Sequence, residues 1–577
     1  MKQFESVPIR KPAYNVFNLS HDVKSSYNFD YLYPILSHPV YPGETFNCRA
    51  EVFLRTMPLL APVMHNVDMF VYFFFIPWRL VWNEKRKEDW KTFITGGEKG
   101  TFGAHGYTDN PSEDFVLPHW NYYQLNSTTQ LDGLDGKLLD HLGFPSYTSF
   151  TTGTGIPADK TEPICSLPFR AYQLVWNEYF RNQNVQNEIE FSFDSGLETS
   201  TDLYQLMQLR RKCFEKDYFT SCLPFQQRGE AVTLPIAYNG DGSVSGDIVL
   251  DTSITDIKGL TSSALAELMI DTKSGSGTSA IASVGVRGSD SASYVQGEPV
   301  ELTGTTSVSA SDLVFEGLSI GTITDFRYCL RLQQWLENNA RCGSRYIEQI
   351  LAHFGVTSSD ARLQRPELLG GGKIPLIFSD VPQTSATDES DVGGTVQGNL
   401  AGKGMLYGKT GGFKKYFEEH GLLLGLVTII PRTSYSQGIP RYWTAMDKTD
   451  WYFPEFAHLS EQAVLNKEIY YNPLTANPAD PDKKPDGVFG YQGRFTELRY
   501  IPSSVHGEMK GSLQYWHFGR LFSQLPRLNS SFVTARSRVN VFAEEDIAQG
   551  THDPFVAQIH LDIKAVRPLP RFAVPTL

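Results

Sequence analysis

GKGMLYGKT, residues 402–410, carries glycines and a lysine near the spacing of a phosphate-cradling loop. That motif needs a glycine, four residues, then Gly-Lys-Ser/Thr, so that backbone amides wrap the phosphates in one turn. Gly408–Lys409–Thr410 would require a glycine at 403, where Lys403 stands, and Gly402 is one position early. No strand pattern leads into it and Gly411–Gly412 would interrupt a following helix, so the segment reads as a flexible loop. LGGGK (369–373) fails the same test. SGSGT (274–278) has the look of a serine nucleophile turn but lacks the strand before and the helix after that such a turn requires. The 13 histidines form no HExxH pattern. His552 and His560 are separated by Pro554, and Asp553 is a common turn residue, so they do not make a metal site. No catalytic residue, metal ligand or cofactor is expected.

The six cysteines, Cys48, Cys165, Cys213, Cys222, Cys329 and Cys342, include no CxxC pair and read as free, buried thiols of a reducing compartment. Sequons at Asn18, Asn126 and Asn529 carry little weight without a secretory signal, and MKQFESVPIRKP has no apolar run of that kind. The two ends of the chain offer a different chemistry. Lys2, Arg10 and Lys11 stand against the single acid Glu5. Lys564, Arg567 and Arg571 stand with no acid, among Pro568, Pro570 and Phe572. Such basic, Pro-rich arms could touch phosphates and stack on bases, or lie across a neighbouring subunit.

The elements that would carry these residues are mostly strands. FNCRAEVFLRT (46–56) and VDMFVYFFFIP (67–77) are apolar and aromatic. The second is continuous and should be buried on both faces. HGLLLGLVTIIP (420–431) and VAQIHLDIKAVRPLP (556–570) are further strands. Helical spacing appears at 82–93, at 169–184 with a stripe of Tyr172, Val175, Trp176, Tyr179 and Phe180, around 201–216, at 324–341 continuing after Gly343, and at 454–466. Segment 230–320 is unlike the rest: 36 of its 91 residues are Ser, Thr or Gly, and only Tyr238, Tyr294 and Phe315 are aromatic. Pieces such as 246–254 suggest small hairpins; full disorder competes with an exposed, variable excursion.

Composition sets the frame. The chain has 577 residues, 41% hydrophobic, 20% charged and 13% aromatic. That is enough to bury a large core without disulfides or metals. Pro and Gly are slightly enriched, which suits short strands and turns. The apolar runs 69–82 and 422–431 are too short to span a bilayer. The net charge of −13 argues against a simple electrostatic nucleic-acid binder. By position, segment 230–320 holds twelve acids against three bases, nine of the thirteen net negative charges.

Several longer strings carry a resemblance. They are YNVFNLSHDVKSSYNFDYLYPILSHPVYPGETFN (14–47), KDYFTSCLPFQQRG (216–229), ARCGSRYIEQILA (340–352) with HFGVTSSDARLQRPELLGG (353–371), EHGLLLGLVTIIPRTSYSQGIPR (419–441), PEFAHLSEQAVLNKEIY (454–470), FGYQGRFTELRYIPSSVHGEMK (489–510) and LQYWHFGRLFSQLPRLNSSFV (513–533). In this order, across about 14–570, the chain resembles the major capsid proteins of the Microviridae, small single-stranded DNA phages, and most of all their gokushovirus-like branch. Cys342 stands where a Gly is usual, and Ser359 where a Pro is usual.

The resemblance implies a mainly β protein, an eight-stranded antiparallel jelly roll of viral capsid type with long, partly helical inter-strand insertions. Residues 1–577 would form one capsid protein whose core comes from discontinuous segments. Residues 230–320 would be a variable surface insertion, a threefold protrusion. It further implies a structural, non-enzymatic protein assembling as 60 copies into a T=1 shell around a circular single-stranded DNA genome. Expected partners are a small basic internal DNA-binding protein, a minor pilot protein and a host receptor met through 230–320, without membrane insertion. Assembly would take place in the bacterial cytoplasm. Lys2, Arg10, Lys11, Lys564, Arg567 and Arg571 are the candidate DNA-facing or inter-subunit residues. The alternative class is a carbohydrate-binding β-sandwich, which exposed aromatics would suit.

Overall fold

The structure, a computed structural model, describes residues 13–83, 89–95, 117–126, 137–145, 162–232, 267–271, 283–287, 323–385, 397–474, 476, 480, 484–549 and 552–572. Lys2, Arg10, Lys11, the hairpin expected at 246–254 and the SGSGT string lie outside them. The chain divides into two units, Met1–Glu230 with Trp335–Leu577, and Ala231–Gln334.

The first unit begins with strands β1 (Asn15–Asn18), β2 (His21–Tyr27), β3 (Tyr33–Val40), β4 (Thr45–Thr56) and β5 (Val67–Pro77). Between β3 and β4 the chain reverses at Pro42–Gly43, where Gly43 takes φ +90°, a conformation open to glycine at no steric cost. After β5 come a 3-10 turn at Trp78–Leu80, helix α1 (Asp89–Thr95), the short strand pair β6 (His119–Trp120) and β7 (Ile164–Cys165), and α2 (Lys137–His141). Then follow α3 (Leu167–Val175), which runs into a π turn at Trp176–Phe180, and α4 (Ser200–Met207). Within residues 231–334 a hairpin is described, β8 (Glu267–Asp271) paired with β9 (Ser283–Arg287). Helices α5 (Ile323–Arg341) and α6 (Tyr346–Phe354) lead to β10 (Glu367–Pro382), β11 (Leu400–Lys409), β12 (Phe413–Tyr416) and β13 (Gly421–Pro431). The remaining elements are β14 (Glu461–Leu465), α7 (Asn466–Ile469), β15 (Val488–Gly493), α8 (Ser530–Val533), α9 (Glu545–Ala548) and β16 (Phe555–Arg567).

Ten of these strands form one antiparallel sheet in the order β1-β16-β4-β11-β10-β5-β13-β3, with β2 also on β16 and β12 also on β4. The two extra strands are continuations. β1 pairs the end of β16 (Asn18 with Lys564) and β2 its beginning (Tyr27 with Phe555), so they share one edge. β11 and β12 lie end to end along β4, from Arg55 to Thr45. Ten segments therefore fill eight strand positions. One set of four is β1/β2, β16, β4 and β11/β12; the other is β10, β5, β13 and β3. The long β10 joins them, since Glu367–Leu376 pairs β5 and Ile377–Pro382 pairs β11. Neighbours so far apart in sequence, in two four-stranded halves facing one another, make a jelly roll.

The burial pattern explains why these residues choose this fold. In β4, Phe46, Cys48, Ala50, Val52 and Leu54 are buried while Asn47, Arg49 and Arg55 are exposed, the period of a strand with one wet face. β16 repeats it with Phe555, Ala557, Ile559, Leu561, Ile563 and Ala565 inside. β5 lacks the alternation because it has a core on each side. Met69, Val71, Phe73 and Phe75 face the interior of the roll. Phe74 and Ile76 pack, with Leu422, Leu424 and Leu426 of β13, on a second core built from α2, α3, α4 and Trp82 and Trp120. A third core joins Tyr218, Phe219 and Cys222 to Tyr435, Val464, Ile469, Phe489 and Phe532 of the segment between β13 and β16.

Three expectations are corrected. The 402–410 string is not a loop but most of β11. Its glycines take inward positions where a side chain has no room: a Cβ on Gly402 would stand 2.4 Å from the Ala61 carbonyl oxygen, and one on Gly404 2.5 Å from Thr56. The helix expected over 201–216 ends at Met207. Beyond it the backbone is extended and bonds to the segment before β3, Leu32 N–H to Arg210 O and Lys212 N–H to Asp30 O. The helix expected over 454–466 is a 3-10 turn at Pro454–Phe456 followed by β14, which pairs β15 from Glu461 opposite Gly493. The expectation of six buried thiols is also corrected: Cys48 and Cys222 are buried, but Cys213, Cys329 and Cys342 are half-buried and Cys165 is exposed.

Candidate functional site

The outward face of the first four-stranded set gathers more basic and aromatic side chains than either end of the chain. The strand register places them in rows. Tyr407 of β11 stands beside Phe53 of β4, then Gln558 of β16, then Lys24 of β2. The next row runs Met405, Arg55, Val556 and Ser26; another runs Lys409, Glu51, His560 and Asp22. Further along are Arg49 opposite Asp562, and Lys414, Asn47, Lys564 and Asn18 side by side. Lys403 completes the basic set. Seven lysines and arginines thus share the face with the acids Asp22, Glu51 and Asp562.

Two of the three acids are paired; the third, Asp562, accepts from the Ser20 hydroxyl at 3.2 Å and stands opposite Arg49. Glu51 pairs with Lys409, which holds the lysine's pKa above its usual value, chiefly through that hydrogen bond. Asp22 accepts a 2.6 Å hydrogen bond from His560, which lowers its carboxyl pKa. Arg55 lies 5.1 Å over the Phe53 ring. The face therefore offers Arg49, Lys24, Lys403, Lys414 and Lys564 to solvent beside the exposed ring of Tyr407, a combination suited to phosphates and stacked bases.

Of the six residues singled out by sequence, Lys564 lies on this face. Arg567, three residues later, has the opposite parity and turns inward. Its Nε sits 2.9 Å from Glu44, its Nη2 donates to His38 Nε2, and its guanidinium covers the Phe46 ring at 5.2 Å. Burial and the nearby guanidinium pull His38 down to about 4, so the ring is neutral and able to accept. Both Lys564 and Arg567 belong to β16 rather than to an arm. Arg571 lies beyond the strand and is exposed, as is Phe572. The residues that sequence reasoning passed over, Arg49 and Arg55 above all, carried a signal in the alternation of FNCRAEVFLRT, whose outward positions are polar or basic.

A second surface lies between β13 and β14. Tyr442, Trp443, Met446, Trp451, Tyr452, Phe453 and Leu459 are all exposed, Trp443 at 71% and Met446 at 87%. Lone chains seldom show this much apolar surface over so short a stretch, and such surface marks association sites. Glu544, Asp546 and His552 bring ligand atoms within 4.8 Å of one another, but all three are exposed and no fourth group joins them among the described residues. No described helix is long and apolar enough to cross a membrane.

Residues 5–577 match the family model described as capsid protein (F protein). The chain is 32% identical to "Capsid protein VP1" of Chlamydia phage 1, with all of this chain and 97% of that protein aligned. It is 31% identical to "Capsid protein VP1" of Bdellovibrio phage phiMH2K, over 99% of this chain and 97% of that protein. It is also 31% identical to "Capsid protein VP1" of Spiroplasma virus 4, over 97% and 94%.

Proposed function

The chain belongs to the capsid protein (F protein) family, and from that premise we propose that it builds a T=1 icosahedral shell of 60 copies around a circular single-stranded DNA genome. It is a structural, non-enzymatic component of the virion. The observation that carries assembly is the exposed aromatic stretch from Tyr442 to Leu459. Tyr and Trp are the anchors that obligate interfaces favour, and a second copy is the partner a shell subunit meets at every edge. The basic outward face of β2, β4, β11 and β16 would meet the DNA. Lys2, Arg10, Lys11 and Arg571 would extend that contact or lie across a neighbouring subunit.

Segment 230–320, acidic and rich in Ser, Thr and Gly, would stand as the surface protrusion at the threefold axes and meet the host receptor. A small basic internal protein would neutralise most of the phosphate, a pilot protein would accompany the genome, and assembly would occur in the host cytoplasm. The test is negative-stain microscopy of the expressed protein with and without single-stranded DNA. Closed shells of uniform size are expected. A monodisperse monomer under every assembly condition would overturn the reading.

A further inference from the structure

A cleft of about 190 Å³ opens where the π turn after α3, the segment 212–220 and the start of α6 come together. Among its lining residues are four cations, Arg181, Lys212, Lys216 and Arg345, and one acid, Glu348. The acid is committed locally: its carboxylate accepts from the Arg345 backbone N–H at 3.0 Å and lies 3.4 Å from the Arg345 Nη1. The lining alone thus holds three more positive than negative charges, partly offset by Glu188, 3.5 Å from Arg181, and by Glu215, whose charge acts on Lys212.

Arg345 is paired with Glu348, whereas Lys212 is held directly by neutral groups. The Lys212 ammonium donates to the Tyr72 hydroxyl at 2.8 Å and rests 3.8 Å over the Phe70 ring, partners that bear no charge. Burial draws its pKa down to about 8, although the Glu215 carboxylate acts to raise it. The Arg345 Nε–H is buried without a hydrogen-bond partner, a donor left unfilled. Arg345 also caps the nine-residue helix α6, so first-turn amides add their partial positive charge at the same mouth. Exposed Lys216 supplies a mobile ammonium at the rim.

The cleft has room for a tetrahedral oxyanion with some of its hydration. The positive charge that remains suits an anion such as a phosphate, which carries about −1.5 to −2 near neutral pH. We propose that this cleft binds a phosphate group, held by Lys212, Lys216 and Arg345.

The phosphate could be free, terminal on a nucleotide, or part of a nucleic-acid backbone, and one experiment separates these. The purified full chain is titrated calorimetrically with orthophosphate, thymidine monophosphate and oligothymidylate, alongside Lys216→Gln and Lys212→Gln, with melting temperature recorded for each variant. Lys216 is exposed, so its variant tests the site without disturbing the core. Saturable orthophosphate binding is expected, weakened about tenfold in Lys216→Gln, as for the loss of one charge-assisted hydrogen bond. Bound phosphate is also expected to shield Lys212 from acylation, read by mass spectrometry. Equal affinity for orthophosphate and thymidine monophosphate identifies a terminal or free phosphate. Tightening with oligothymidylate that Lys216→Gln removes identifies the backbone. No saturable orthophosphate binding, or binding unchanged in both variants, overturns the proposal, and neither result depends on whether shells form.

Discussion

Lys564 and Arg567 show how much a single residue's parity in a strand decides. They are three apart, both basic, and indistinguishable by composition, yet one meets solvent and the other closes the end of the roll's core. Replacing Lys564 with Ala is expected to change stability by less than about 0.5 kcal/mol, as for a surface residue free of special roles. Replacing Arg567 with Ala leaves Glu44, whose side chain is 4% exposed, without its partner, and should cost about 3 kcal/mol in urea unfolding. Equal effects of the two substitutions would contradict the register.

Asp30 is a second residue-scale case. It is fully buried at φ +72°, accepts from the Ser537 backbone N–H and hydroxyl, and has Arg211 3.5 Å away. Burial outweighs these partners and raises its pKa from 3.8 to about 6. The folded chain thus keeps a proton that the unfolded chain releases, so this contribution is fully present below pH 4 and is lost as pH rises through 6. The change amounts to about 3 kcal/mol. Asp30→Asn keeps an acceptor for Ser537 and tolerates positive φ. Its stability relative to the natural protein should therefore rise between pH 4 and pH 7 in urea melts, whereas a constant difference would remove Asp30 as the titrating group.

At the scale of elements, legibility followed the hydrophobic pattern and failed where glycine replaced it. β4, β5, β13 and β16 stood out because their inward positions are large and apolar, and α5 and α6 because their spacing and the Gly355 cap are intact. β11 was hidden: its inward positions are Gly402, Gly404, Leu406 and Gly408, so alternation survives only in the outward residues. A loop would accept Gly402→Ala without penalty. Against the Ala61 carbonyl in this strand, the same change should cost about 1–3 kcal/mol of overpacking, measurable as a lower urea midpoint. β14 was hidden for another reason, since five residues spaced like a helix are held extended by their partner β15. The basic face stayed unread because it needs four strands in register, three of them from opposite ends of the chain.

The excursion into 231–334 raises an element-scale prediction of its own. The Arg228 N–H reaches the Leu336 carbonyl, so the first unit leaves and rejoins the chain at adjacent points. Excising 233–322 in favour of a short Gly/Ser linker should leave the unfolding midpoint of the remainder unchanged, because closing a short loop adds little entropy cost. A protein that no longer folds would place part of the core within the excised residues.

For the whole molecule, a net charge of −13 and a nucleic-acid partner are compatible once charge is resolved by position. Nine of those charges belong to 230–320, and the open sheet face reads the other way, with seven bases to three acids. Affinity for single-stranded DNA follows phosphates neutralised locally, with log K falling against log salt by roughly 0.7 per contact. If Arg49, Arg55 and Lys564 each meet one phosphate, Arg49→Gln, Arg55→Gln and Lys564→Gln together should flatten that slope by about 2. Excision of the acidic segment, which lies beyond a Debye length of roughly 8–10 Å from the strand if it projects outward, should leave the slope as it was. Fluorescence anisotropy of labelled oligothymidylate across a salt series reads both. A slope insensitive to the three substitutions would take the DNA off this face, and one sensitive to the excision would bring the acidic segment into the contact; the net charge alone distinguishes neither case.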